Sequence, residues 1–269
     1  MKLLSSCPVC NTDQARILPI HLRDDGAADA TCPAGHRFIV VSPHDKYEIL
    51  FESAALALLD EHAREAVADF AAALEEFYGF FVRLVSENRT IDLPHSPWFE
   101  TVDVDPEEAA KVWQQVAAQS ERQIGAFLYL HLLVTGKAYQ IDRKSVELRN
   151  RVIHRGYLPT LAEASEYGER VWNDITRVVD YLLEEQALGS PTDGEHRPFK
   201  IARDQPHVNL VEQPHAIMLA PRDSQPGGFK ERLFRLRTTW RGAVYGRGPR
   251  GVVSREARSD RKSRKQSKL

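Results

Sequence analysis

The sequence predicts a mainly α-helical protein: an antiparallel helical bundle, preceded by a small β module and followed by a largely irregular basic tail. Three observations carry this. Between Glu52 and Glu87 the residues Leu56, Leu59, Ala63, Ala66, Phe70, Ala73, Phe77, Phe81 and Leu84 recur at helical spacing, a stripe broad enough for bundle packing. Before it, two cysteine-bearing turns are each followed by the apolar pattern of a short strand. After it, from Ala187, Pro, Gly, Asp and Arg accumulate without sustained periodicity. The last twenty residues, rich in Gly, Arg, Lys and Ser, are expected to be disordered.

The first module, residues 1–46, holds Cys7-Pro8-Val9-Cys10 and, beyond the turn Asp24-Asp25-Gly26, Cys32-Pro33-Ala34-Gly35-His36. Phe38 to Val41 reads as a strand. Two knuckles supplying four soft-to-borderline ligands suit tetrahedral zinc, and a segment this short lacks the core to fold without a staple. The spacing therefore predicts ligands Cys7, Cys10, Cys32 and His36, with His21 and His44 as weaker substitutes for the fourth. The module resembles a zinc ribbon. No ligand position is left open, so the zinc is expected to be structural.

Residues 47–187 follow as the helical bundle. A single long helix is expected over the Glu52–Glu87 stripe, then a loop over Asn88–Val104 containing Pro94 and Pro97. Asp105-Pro106 starts a second helix, since aspartate caps free amides and proline fits the first turn. Ser120-Glu121-Arg122-Gln123 matches a capping box for a third, closed near Gly136. Asp142 caps a fourth that ends at Gly156, and Thr160-Leu161-Ala162-Glu163 opens a fifth to about Gln186. His131, Trp98, Trp113 and Trp172 read as packing residues. Residues 188–269 form the irregular extension, in which Val208–Val211 and Ala216–Leu219 are candidates for short strands or for docking on the bundle.

Charge is distributed unevenly. The net value is -2, yet from Lys230 to Leu269 fourteen Lys and Arg stand against Glu231, Glu256 and Asp260, so the remainder is acidic. A basic tail interleaved with glycines and Tyr245 fits counterion release at a phosphate backbone, or simple solvation. Three cysteines argue against a disulfide framework and for a reducing, cytoplasmic setting. No apolar run is long enough to cross a membrane, so no membrane partner is expected. No phosphate-cradling glycine loop, nucleophile elbow or dinucleotide fingerprint occurs.

The densest chemistry lies in Glu147-Leu148-Arg149-Asn150-Arg151-Val152-Ile153-His154-Arg155-Gly156. Asn150 and His154 are four apart and share a helix face, while Arg149 can swing across from the adjoining flank. Cleavage of RNA by its own 2'-hydroxyl needs proton transfer and positive charge at the phosphate. Histidine supplies the first and arginine's planar fork the second, with no metal required.

Arg149-Asn150-x-x-x-His154, late in a small helical bundle, resembles the R-x(4–6)-H signature of HEPN domains (higher eukaryotes and prokaryotes nucleotide-binding). The resemblance covers about Tyr47 to Gln186, though only the six-residue motif and its helical setting are specific. It implies a metal-independent endoribonuclease of phage-defence or toxin systems, with RNA as substrate and a homodimer joining two Arg–His pairs. It further implies Arg149 at the scissile phosphate, His154 in acid–base work and Asn150 positioning substrate or imidazole. Arg151 and Tyr157 are added as substrate-binding candidates, and an antitoxin or defence-system protein as a possible partner. A second reading stands beside it: a non-catalytic zinc-ribbon and helical-bundle adaptor, binding RNA or a protein. In that reading Arg149 and His154 cap carbonyls or pair with Glu166 and Glu169.

Overall fold

The computed structural model describes residues 2–10, 17–87, 90–92, 101–184, 209–212, 217–219 and 226–245. Trp98, Pro94, Pro97, Val208, Ala216 and the basic stretch from Gly246 onward lie outside them. The described chain is mainly helical, with short strands at its N-terminal end.

In the N-terminal module β1 (Lys2–Ser6) pairs antiparallel with β2 (Ile17–His21), and β3 (Ala27–Thr31) with β4 (Arg37–Val41). The second knuckle is the turn between β3 and β4. The Cys32 amide bonds the His36 carbonyl at 3.0 Å, and Gly35 sits at φ +85°, where a side chain would strain the backbone. Alternation along β4 divides its burial: Phe38 and Val40 pack with Cys7, Ile20, Ala28 and Cys32, while Ile39 and Val41 pack with Ala27 on the other face. β7 (Asn209–Glu212), from the extension, adds to β4 in parallel.

Two helices replace the single one expected from the stripe: α1 (Lys46–Leu59) and α2 (Ala63–Glu87). The break is a Schellman closure without glycine. His62 N–H reaches the Ala57 carbonyl at 2.9 Å, Glu61 N–H reaches Leu58, and Glu61 takes φ +65°. Within the stretch expected as a loop, two short strands pair antiparallel, β5 (Thr90–Asp92) and β6 (Thr101–Asp103). α3 (Pro106–Val116) starts at Asp105, whose carboxylate accepts from Glu107 N–H. α4 (Ser120–Thr135) ends at left-handed Gly136 as expected, but Gln119 occupies its N-cap, so Ser120 makes no capping box. α5 (Arg143–Arg155) is capped by Asp142 and closed by Gly156 at φ +68°. α6 (Leu161–Glu184) opens with the expected box, Thr160 and Glu163 exchanging bonds of 2.8 and 3.2 Å. α7 (Phe229–Tyr245) is regular helix in a stretch the sequence reading leaves irregular.

α2 is the central element, against which α1, α4, α5 and α6 pack. Phe70, Phe77 and Phe81 along it are buried with Phe51, Phe127, Val152, Ile175 and Phe229 from its neighbours. A Cβ at Gly168 would lie 2.5 Å from Phe70 Cε2 and 3.0 Å from Phe229 Cζ, so glycine sets how closely α2, α6 and α7 approach. Residues 217–219 dock here too. Met218 is fully buried; its N–H and that of Ile217 donate to the buried Glu52 carboxylate at 3.0 and 3.4 Å. Its carbonyl accepts from Trp172 Nε1 at 2.9 Å and from buried Arg232 Nη1 at 3.2 Å. No helix among the described residues is long and apolar enough to cross a membrane.

Candidate functional site

The first site is the cysteine–histidine cluster. Cys10 Sγ and Cys32 Sγ lie 3.4 and 3.5 Å from His36 Nδ1, Cys7 Sγ lies 3.7 Å from it, and Cys10 and Cys32 are 3.7 Å apart. All four ligand atoms fall within 4.8 Å of one another. A tetrahedron with metal–sulfur bonds of about 2.3 Å has edges of about 3.7 Å, so these separations are those of a closed four-coordinate centre. Burial pushes the Cys32 thiol up, but amides of His36 and Ala34 bonding its sulfur bring it down to about 6, towards the thiolate that binds metal. The four residues can therefore hold a metal ion such as zinc. His21 stands on β2 and His44 at the start of α1, outside the cluster.

The second site lies at the C-terminal end of α5. Leu148 and Val152 face the core and leave Arg149 and Asn150 half-buried and His154 exposed. Arg149 Nη1 donates to Asn150 Oδ1 at 3.0 Å and lies 3.3 Å from His154 Nε2. A guanidinium only donates, so this contact is made when Nε2 presents its lone pair. Arg149, Asn150 and His154 are thus brought together as the sequence suggests. Nη2 of Arg149 pairs with Glu75 of α2, a residue the sequence reading misses. Its signal was faint: Glu75 follows Ala71 by four and precedes Tyr78 by three, a carboxylate on the margin of the buried stripe. Glu166 and Glu169, suggested as partners for Arg149 and His154, bond neither of them, and Glu169 pairs with Lys230 instead.

Arg151 and Tyr157 are engaged with each other. The Arg151 guanidinium carbon sits 3.7 Å from the Tyr157 ring centre, and the Tyr157 hydroxyl donates to Glu163 at 2.9 Å. One ring face of Tyr157 is therefore covered, while Arg151 itself is exposed. His131 is a buried packing residue: its Nδ1 donates to the Lys137 carbonyl at 2.9 Å, and burial lowers its pKa. Trp172 is likewise buried, and Trp113 packs against the core.

Beside Arg149 opens a cleft of about 770 Å³ between α2, α4, α5 and α6. Its inner wall includes Leu74, Ile124 and the buried Tyr78, Tyr139 and Tyr167. Its rim carries more carboxylates than guanidinium groups, the latter being Arg143 and Arg149. Exposed apolar side chains lie close to the motif along the chain: Val146, which also lines the cleft, and Ile153, Leu158 and Leu161. No protein-family model, curated protein or solved structure matches the chain.

Proposed function

We propose that this protein is an endoribonuclease that cleaves RNA by 2'-hydroxyl attack, in the manner of the HEPN domains its motif resembles. The observation that carries the reading is the contact of Arg149 with both Asn150 and His154 on an exposed helix end. Arg149 uses Nη1 towards these two and Nη2 towards Glu75, which leaves further N–H donors of its five for phosphate oxygens. Glu75 holds the fork at the mouth of the cleft, and Asn150 fixes its second arm.

In the reaction the 2'-oxygen bonds phosphorus while the bond from phosphorus to the 5'-oxygen breaks. Nε2 of His154, once Arg149 Nη1 turns from it to the phosphate and frees its lone pair, takes the 2'-hydroxyl proton. The leaving 5'-oxygen takes a proton from a second imidazole, which a homodimer would supply across a two-fold axis. Exposed Ile153, Leu158 and Leu161 near the motif are the apolar surface such a dimer would cover. The outer plane of Arg151, whose inner face rests on Tyr157, offers stacking for a base. Zinc at Cys7, Cys10, Cys32 and His36 would be structural and take no part in the chemistry. A phage-defence or toxin role, with a cytoplasmic location and an antitoxin or defence-system partner, belongs to the same reading.

The Arg149–Glu75 ion pair favours a second reading, in which the guanidinium ties α5 to α2 in a non-catalytic adaptor. Cleavage of single-stranded RNA by the wild type and by Arg149→Ala separates the two. The ribonuclease reading expects a loss of about a hundredfold or more, whereas an adaptor leaves no cleavage to lose.

A further inference from the structure

The cleft beside Arg149 presents a chemical contradiction to a plain phosphate-binding role. Its rim is dominated by carboxylates, so a bare phosphate drawn inside would be repelled. Its inner wall, in contrast, is aromatic and aliphatic, formed by Tyr78, Tyr139, Tyr167 and Leu74. At about 770 Å³ it has room for a heterocycle with its sugar. Much of its polar equipment is already committed: Glu75 to Arg149, and Asp142 to capping α5 and to Arg170. Glu147 is different. It is exposed, lines the cleft from α5, and makes no hydrogen bond or ion pair among the described residues. It also precedes Asn150 by three and His154 by seven, which places all three on one helix face.

We infer that this cleft is a nucleobase subsite that selects guanine, with Glu147 accepting the paired donors of the guanine Watson–Crick edge. The inference rests on the ribonuclease reading above. A carboxylate only accepts, and it offers two oxygens side by side. Guanine is the base that presents two adjacent donors, N1–H and the 2-amino group, to match them. Uracil, adenine and cytosine each set an acceptor beside the donor on that edge, so an acceptor would face the carboxylate unpaired. The base enters as a neutral ring against the tyrosine wall, while its phosphate stays at the mouth on Arg149 and His154. That division reconciles an acidic cleft with an anionic polymer.

The test uses the full-length chain carrying His154→Ala, a substitution at an exposed side chain. Binding of guanosine, adenosine, cytidine and uridine 3'-monophosphates is measured by titration calorimetry. The guanosine nucleotide is expected to bind at least about tenfold more tightly than the other three. Adding Glu147→Gln is expected to remove that preference, whereas adding Arg149→Ala weakens all four nucleotides alike. Equal binding of the four, binding of none, or a guanosine preference untouched by Glu147→Gln would overturn the subsite. The outcome is distinguishable from failure of the ribonuclease reading. RNA cut without regard to guanosine removes the subsite alone, and selective guanosine binding without any cleavage removes the enzyme alone.

Discussion

Glu52 shows what one buried carboxylate can organise. Burial pushes its pKa up, although the amides of Met218 and Ile217 and the nearby His44 pull in the other direction. The folded protein therefore holds this proton more tightly than the unfolded chain, where the ordinary glutamate value applies. The sign follows from linkage: stability contributed here is greatest at low pH and declines as pH rises from the ordinary value through the raised one. Glu52→Gln is expected to flatten that slope in thermal melts taken from about pH 4 to pH 7. Glu52→Ala, which strands two backbone donors, should cost about 1–3 kcal/mol in denaturant unfolding. None of this was legible in the sequence, where Glu52 precedes the stripe as an ordinary helix residue and its partners lie 165 and 166 positions away. The motif residues Arg149, Asn150 and His154 were legible because their encounter is local to one helix. Glu75, which reaches Arg149 from 74 positions away, was not.

Among the elements, punctuation marks most helix ends correctly, the capping box at Ser120 excepted, where Gln119 is the N-cap. Asp105, Asp142, Gly136, Gly156 and the Thr160–Glu163 box each mark a helix end by a specific backbone bond, and each stands where expected. The α1–α2 break carries no such mark, because Glu61 adopts a left-handed conformation that the sequence reserves for glycine or asparagine. An apolar stripe passing through Leu59 and Ala63 hides the turn. Tertiary contact, not propensity, also determines where helices can meet. Gly168→Ala would force a methyl to 2.5 Å from the Phe70 ring, which is itself held by Phe51 at a ring-centre distance of 4.8 Å. The substitution is expected to destabilise by about 1–3 kcal/mol, seen as a Tm lower by several degrees.

Across the whole molecule, the N-terminal module and the C-terminal extension are tied to each other by the β4–β7 pairing. The extension is tied to the bundle through Met218, Trp172 and Arg232. Val208–Val211 and Ala216–Leu219 stand out in the sequence as apolar candidates for docking, but nothing local to them names β4 or Glu52 as the partner. The same connection would carry loss of a metal held by the cysteine–histidine cluster to a distant strand. Cys10→Ser, or prolonged chelation, is expected to lower hydrogen-exchange protection about tenfold or more at Ile39–Val41 and also at Leu210 and Val211. The proposed dimer is tested on its apolar surface: Ile153→Asp should shift the protein to monomer by light scattering and reduce cleavage with it. The central claim, that the Arg149–His154 pair cuts RNA without a metal, meets its most direct test in the chemistry of the product ends. Labelled single-stranded RNA is incubated with wild type and with His154→Ala in EDTA, briefly enough to leave the cysteine–histidine cluster intact. The account predicts 2',3'-cyclic phosphate and 5'-hydroxyl ends, formed about a hundredfold or more slowly by the variant. Equal cutting by both proteins, dependence on magnesium, or no cutting at all would contradict it.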